Sequence, residues 1–137
     1  MNGYIVLDAS VILKWIFDDE EGGDRVSRYR DNHIAEREII AAPDLLFYEI
    51  ANVLATKTRL PAAAVTEAFS LLWNFNLERD DFGVEECLAG LAMARKYNVS
   101  LYDAAYIELA RRLKCTFVTA DRKLYEKTKS LRFVHLL

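Results

Sequence analysis

In Tyr4-Ile5-Val6-Leu7-Asp8, four consecutive apolar residues end on a carboxylate. A strand with no polar alternate positions is buried on both faces, which is the habit of a parallel sheet covered by helices. Downstream, Ile39-Ile40-Ala41-Ala42 is a second short apolar run, stopped by Pro43, and Cys115-Thr116-Phe117-Val118-Thr119 is a β-branched third. Leu131 to His135 reads as the last strand. Helical patterns fill the intervals, at 11–17 with Ser10 as N-cap, 24–38, 45–59 with Asp44 as cap, 61–74, 84–97, 100–114 and 121–129. Pro61 suits a first helical turn, and Asn98 a helix stop. Asp18-Asp19-Glu20-Glu21-Gly22-Gly23 reads as a solvated turn, and Asp80-Asp81-Phe82-Gly83 as another. Strands alternating with helices predict a three-layer α/β/α sandwich around a mostly parallel sheet.

With 137 residues, 53% apolar and 28% charged, the chain has the composition of one soluble domain spanning 1–137. A chain of this size buries roughly 68–70% of its unfolded surface, so no disulfide or structural metal is needed. Cys87 and Cys115 lack a CxxC spacing and read as structural thiols in a reducing, cytoplasmic setting. No apolar run approaches the roughly 18 residues of a membrane span, and Met1-Asn2-Gly3-Tyr4 lacks the basic start of a signal peptide. The expectation is a cytosolic, unprocessed protein with no membrane partner.

The net charge of −3 argues at first sight against a nucleic-acid partner. The average hides an asymmetry: residues 1–94 hold 8 Lys and Arg against 17 Asp and Glu, whereas residues 95–137 hold 10 against 4.

In open α/β sheets ligands gather beyond the carboxyl ends of the strands. Asp8 ends the first strand, Glu49 lies about one turn into the helix after the second, and Asp121 follows the third by two residues. Asp103 stands in the first turn of its own helix. Each has a local alternative: an Asx turn for Asp8, an N-cap for Asp121, a capping box for Ser100-Leu101-Tyr102-Asp103 and a wet face for Glu49. At 100° per residue, Asp103 shares the apolar stripe of Tyr106, Ile107 and Ala110, with Glu108, Arg111 and Arg112 opposite. A carboxylate on that stripe needs a hydrogen bond or a cation. Glu49 shares a polar lane with Asn52, Thr56 and Arg59, which is either solvated or borders a cleft.

If the four acids converge, each pair about 4 Å apart costs on the order of 4 kcal/mol at an effective dielectric of 20. A hard cation such as Mg²⁺ or Mn²⁺ would compensate through oxygen ligands. Zinc is disfavoured, because His33 and His135 are far from each other and from the cysteines in sequence.

Val6-Leu7-Asp8-Ala9-Ser10, Pro43-Asp44-Leu45-Leu46-Phe47-Tyr48-Glu49-Ile50-Ala51-Asn52, Leu101-Tyr102-Asp103-Ala104-Ala105-Tyr106 and Val118-Thr119-Ala120-Asp121 together resemble the four motifs of the PIN domain. The resemblance is to the short, single-domain VapC-type ribonuclease toxins, and it covers essentially the whole chain in the family's order. It implies a metal-dependent endoribonuclease with Asp8, Glu49, Asp103 and Asp121 around Mg²⁺ or Mn²⁺. Ser10 and Thr119 would orient the first and last acids, and Asn52 would accompany the glutamate. It also implies an RNA substrate, a cognate VapB-like antitoxin, and homodimers and toxin–antitoxin hetero-oligomers.

Arg122 and Lys123 directly follow Asp121 and are the leading candidates for RNA phosphates, with Arg95, Lys96, Arg111, Arg112 and Lys114 behind them. Val65, Phe69, Leu71, Leu72, Trp73 and Phe75 span a wider arc than one sheet-facing stripe needs. They read either as a deeper core or as a partner surface, and in the resembling family this region takes part in dimerisation or receives the antitoxin. A phosphoacceptor receiver domain fits less well, since Ala9 and Ser10 follow Asp8 where paired acids are wanted, and His135-Leu136-Leu137 offers no lysine. A noncatalytic PIN-like module would lack a motif acid, and none is missing. A nuclease of the same family without an antitoxin remains the alternative.

Overall fold

The computed structural model describes residues 3–17 and 22–137. The acidic segment 18–21, expected to be a solvated turn, lies outside them. The described elements run β1 (Gly3–Leu7), α1 (Ala9–Ile16), α2 (Gly23–Ile34), β2 (Glu38–Pro43), α3 (Leu45–Thr56) and α4 (Ala62–Asn74). They continue as β3 (Glu78–Asp80), α5 (Val84–Tyr97), α6 (Leu101–Leu113), β4 (Thr116–Thr119), α7 (Arg122–Thr128) and β5 (Val134–Leu136).

The strands form one sheet in the order β3-β2-β1-β4-β5. Every neighbouring pair is parallel, with Val6 of β1 opposite Ala41 on one side and Phe117 on the other. Ile5, Val6, Leu7, Ile40, Phe117 and Val118 form the buried centre, which is why these strands read as unbroken apolar runs. The chain winds outward from β1 to β3, then returns across the sheet to β4. With right-handed crossovers this puts α1–α4 on one face and α5–α7 on the other. Helices α1–α4 pack among themselves, and α6 lies under α5 and across β1, β2 and β4. The order of winding reverses between β1 and β4, where an open sheet forms its ligand crevice. Among the described residues no helix is long and apolar enough to cross a membrane.

Several boundaries differ from the sequence reading for local reasons. The N-cap of α1 is Asp8, which accepts from Val11 N–H, so Ser10 falls inside the first turn. Asp44 does not cap α3: its backbone is already helical and its carboxylate pairs with Arg79 at 2.8 Å. Pro61 is the N-cap of α4 rather than part of its first turn. Helix α2 ends at Ile34, with Glu36 at φ +56° before β2 begins, and α3 stops at Thr56 rather than Arg59. Strand β3 was not foreseen, because Glu-Arg-Asp is a three-residue edge strand with no apolar run to betray it. Residues 131–133 turn instead of extending, so β5 begins at Val134. Asn98 does stop α5 in the left-handed conformation, and Ser100 caps α6 by accepting from Asp103 N–H.

Glu108, placed by periodicity opposite the apolar stripe of α6, is nevertheless buried. It is 1% exposed, because α5 rather than solvent covers that side. Arg111 compensates its charge, its Nε lying 3.0 Å from both carboxylate oxygens and its Nη2 closer still. His33 is structural: Ile40 N–H donates to Nδ1 at 3.0 Å, and Nε2 lies 2.6 Å from the Phe75 carbonyl, tying α2 to β2 and to the end of α4. Cys87 and Cys115 are free and half-buried.

Candidate functional site

Asp8 ends β1 at the crevice and is buried, 7% exposed. Two hydroxyls fix its carboxylate: Ser10 donates to Oδ1 at 2.5 Å and Thr119 donates to Oδ2 at 2.6 Å. Those hydroxyls in turn tie β4 to β1, since Ala120 N–H donates to Ser10 Oγ at 2.8 Å and Asp121 N–H donates to Thr119 Oγ1 at 3.1 Å. Burial is the largest influence on Asp8 and pushes its carboxyl up to about 6. The hydrogen bonds from Ser10, Thr119 and Val11 pull it down, and the charge of Asp103 adds to the rise.

Glu49, half-buried on α3, accepts from the Tyr106 hydroxyl at 2.5 Å. Burial raises its carboxyl, the Tyr106 bond opposes this, and Asp103 again adds to the rise. Asp103 is raised by burial first, against its Ser100 hydrogen bond, then further by Asp121, while Lys127 pulls it down. Tyr106 feels Glu49, Asp8 and Asp103 together and is held far above its ordinary value, with burial the leading cause. Asp121 is exposed and caps α7 through Leu124 N–H at 3.2 Å, as its local alternative anticipated.

The four acids therefore occupy one electrostatic neighbourhood with Asp103 at its centre, but not one ligand shell. Among the described residues, no three His, Cys, Asp or Glu side chains stand close enough to enclose a metal ion as they are. The two observations agree once range is considered, because like charges at several ångströms still repel while oxygens sharing a cation must nearly touch. Each acid is held by its own partner, and each comes from a different element.

Asp103 and Asp121 border a cavity of about 220 Å³ that also takes in Lys123 and Lys127. Arg122 lines a different cavity, and Arg95 and Lys96 sit exposed in the last turn of α5, outside both. Two of the expected phosphate contacts are engaged elsewhere. Arg111 is paired with Glu108, and Arg112 reaches Asp80 with Nη2 at 2.7 Å. Lys114 is the exposed C-cap of α6. Asn52 lies one turn past Glu49, exposed, and makes no hydrogen bond to it. Sequence reasoning missed Tyr106 as a polar participant, although a phenol three residues past Asp103 on a buried stripe must find a partner for its hydroxyl. It missed Lys127 altogether, a residue one turn beyond Lys123 with nothing in its local pattern to mark it.

On the helical face, Leu72 enters the core while Leu71 and Trp73 are about half-exposed, so the wide arc of α4 is divided between core and surface. The Arg79 guanidinium lies over both Trp73 and Phe47, at 4.4 and 4.8 Å from their ring centres, while the two rings meet each other at 5.1 Å, and Phe75 meets Trp15 edge-on. A cavity of about 500 Å³ opens between α4 and the α1–α2 pair, walled by Trp15, Ile16, Ile34, Leu60, Leu71 and Phe75.

The family model of the PIN domain matches residues 5–130. Ribonuclease VapC3 of Pyrobaculum aerophilum is 31% identical over 131 residues, which are 93% of this chain and 96% of that protein. Among solved structures, PAE2754 from Pyrobaculum aerophilum superposes with a TM-score of 0.70 at 22% identity, over 99% of this chain and 92% of that one. A toxin–antitoxin complex from Klebsiella pneumoniae gives 0.68 at 10% identity, over 96% and 95%. An acid at the end of β1, tied by hydroxyls to the end of β4 and facing acids from two helices, thus sits in a chain matched from its first strand almost to its last, and this chain belongs to the PIN-domain family.

Proposed function

We propose that the protein is a metal-dependent endoribonuclease and the toxin of a toxin–antitoxin pair, acting in the cytoplasm, with Asp8, Glu49, Asp103 and Asp121 as its working acids. The observation that carries this reading is the mutual electrostatic influence of these acids at the reversal of the sheet. Membership of the PIN-domain family and the likeness to a protein named a ribonuclease support it.

The donor set fits a hard divalent cation, since every candidate ligand is a carboxylate oxygen and a buried carboxylate near pH 6 gains from a positive neighbour. Asp8, Glu49 and Asp103 would hold Mg²⁺ or Mn²⁺, with Asp121 completing the set. The cation supplies a Lewis acid for the scissile phosphate and makes water a better nucleophile near neutral pH. Ser10 and Thr119 keep the Asp8 oxygens aimed at the crevice, and the Tyr106 hydroxyl holds Glu49 against rotation into solvent. Lys123 and Lys127 offset the acids' repulsion toward a polyanion on the Asp121 side.

The test is cleavage of RNA by purified protein with Mg²⁺ or Mn²⁺, with EDTA, and by Asp103→Asn. We expect products only with metal and with the intact acid; full activity after chelation or in the variant would overturn the reading.

For the partner, the apolar cavity between α4 and the α1–α2 pair would take an apolar segment of the antitoxin, a proposal supported by the likeness to a toxin–antitoxin complex. Tyr48, Val84, Leu88 and Tyr102 are each more than 60% exposed, and a second copy would cover such apolar side chains. Light scattering that finds a monomer, free and with antitoxin, would count against both.

A further inference from the structure

Immediately after Asp121 the chain sends its next two side chains to different places. Lys123 lines the cavity shared by Asp103 and Asp121. Arg122 lines a second cavity of about 420 Å³, with Lys14 of α1, Arg25 of α2, Gly22, Ala120 and Leu137 in its wall. The second cavity adjoins the acidic site through the backbone: Ala120 donates its N–H to Ser10, the same hydroxyl that holds Asp8.

No side-chain carboxylate of the described residues lines this cavity. The side chains of Arg25 and Arg122 make no hydrogen bond or ion pair with any described residue. Glu126, the acid on which the charge of Arg122 registers, is already paired with Lys129 at 2.7 Å. Gly22 keeps the wall thin: it lies at φ +80°, and a Cβ there would come within 3.1 Å of the Leu137 side chain. The guanidinium groups of two separate elements around one concavity repel each other until an anion joins them, and guanidinium groups match the fork of phosphate oxygens.

We propose that this cavity is a phosphate subsite: Arg25 and Arg122 hold a backbone phosphate of the RNA strand beside the one presented to the acids. The inference rests on the ribonuclease reading and extends it. Free phosphate shares the chemistry, and continuity with Asp121 favours the strand.

The test is binding of a short, labelled, single-stranded RNA in EDTA over a salt series. It compares the wild type with the Arg25→Gln/Arg122→Gln double variant and with Arg28→Gln, on the same helix but outside the cavity. Each phosphate contact on a single strand contributes about 0.7 to the slope of log affinity against log salt. The double variant should show a slope shallower by roughly that amount and a several-fold weaker affinity at low salt, with its melting temperature and the Arg28→Gln control unchanged. An unchanged slope overturns the proposal; joined to a lowered melting temperature, it marks the arginines as counter-charges of the fold. Inorganic phosphate that raises the wild-type melting temperature while the double variant keeps the wild-type slope also overturns it, in favour of a free-anion site. Failure of the ribonuclease reading is separate, because the wild type itself would then neither bind nor cut the RNA.

Discussion

Asp8→Asn separates what the carboxylate does for chemistry from what it costs the fold. The Asp8 carboxyl stands at about 6 in the folded protein against 3.8 for an ordinary aspartate. Because the folded value is the higher one, the native state binds the proton more tightly. The resulting stability is fully present below 3.8 and is lost as the pH rises to about 6. The difference corresponds to about 3 kcal/mol over the whole range, and to roughly 2 kcal/mol between pH 4.5 and 7.5. An amide of the same shape does not titrate. Its Oδ1 still accepts from one hydroxyl, and the other hydroxyl can turn to accept from Nδ2. Urea denaturation in EDTA at those two pH values should therefore show the wild type losing about 2 kcal/mol relative to Asp8→Asn as the pH rises, while the variant is inactive on RNA at both. Mg²⁺ or Mn²⁺ at the higher pH should return most of the loss to the wild type and little to the variant. A wild-type-to-variant difference that stays flat with pH would refute the reasoning, because it would mean that the hydrogen bonds from Ser10 and Thr119 fully offset burial.

Three further outcomes follow from the contacts. Tyr106→Phe keeps the stacking on Phe117, at 5.9 Å between ring centres, but removes the hydroxyl from Glu49. The acid limb of the pH–rate profile should move to higher pH, and an unmoved limb would show that Glu49 does not govern it. His33→Ala leaves Ile40 N–H and the Phe75 carbonyl without their partner, for a loss of about 3 kcal/mol in chemical denaturation. A loss under about 1 kcal/mol would mean that water replaces the ring. Arg111→Ala strands a buried carboxylate and should cost about 3 kcal/mol, whereas Glu108→Gln leaves a half-exposed guanidinium and should cost under about 1 kcal/mol. Equal losses would contradict this asymmetry.

Legibility in the sequence followed burial. Strands β1, β2 and β4 are wrapped on both faces, so their apolar runs announced them, and the acids just beyond those runs marked the crevice. Edge strand β3 had no such signal, since Glu78 and Arg79 face water and only the ladder to Ala41–Pro43 makes it a strand. Helical periodicity put Asp103 on the buried stripe but gave no sign that Glu108 opposite it is buried too, because a helical wheel assumes one wet side and α6 lies under α5. The charge asymmetry pointed to residues 95–137 as the cationic region. Folding takes Arg111 and Arg112 out of that count through Glu108 and Asp80, and brings in Arg25 from the acidic part of the chain.

The crevice concentrates incompatible demands on Asp8. Its carboxylate caps α1 through Val11, anchors hydroxyls that hold β4 beside β1, and faces the negative charge of Asp103 across the opening. Capping and anchoring favour an ionised group, whereas burial and Asp103 oppose one, and the result is a titration near 6 rather than below 4. A neutral Asn or Ser would serve the cap and the hydroxyls with less penalty, so fold stability alone does not account for an acid at this position. A bound cation would remove the conflict: it would stabilise the ionised forms of Asp8 and Asp103 and relieve Glu49 of the charge of Asp103. The same charge balance would ease the approach of RNA phosphates to a chain whose net charge is −3 once metal is bound. Affinity for RNA should accordingly rise with divalent cation at constant ionic strength, and in Asp8→Asn the dependence should largely disappear. RNA binding indifferent to the cation in the wild type would place the strand away from the acids.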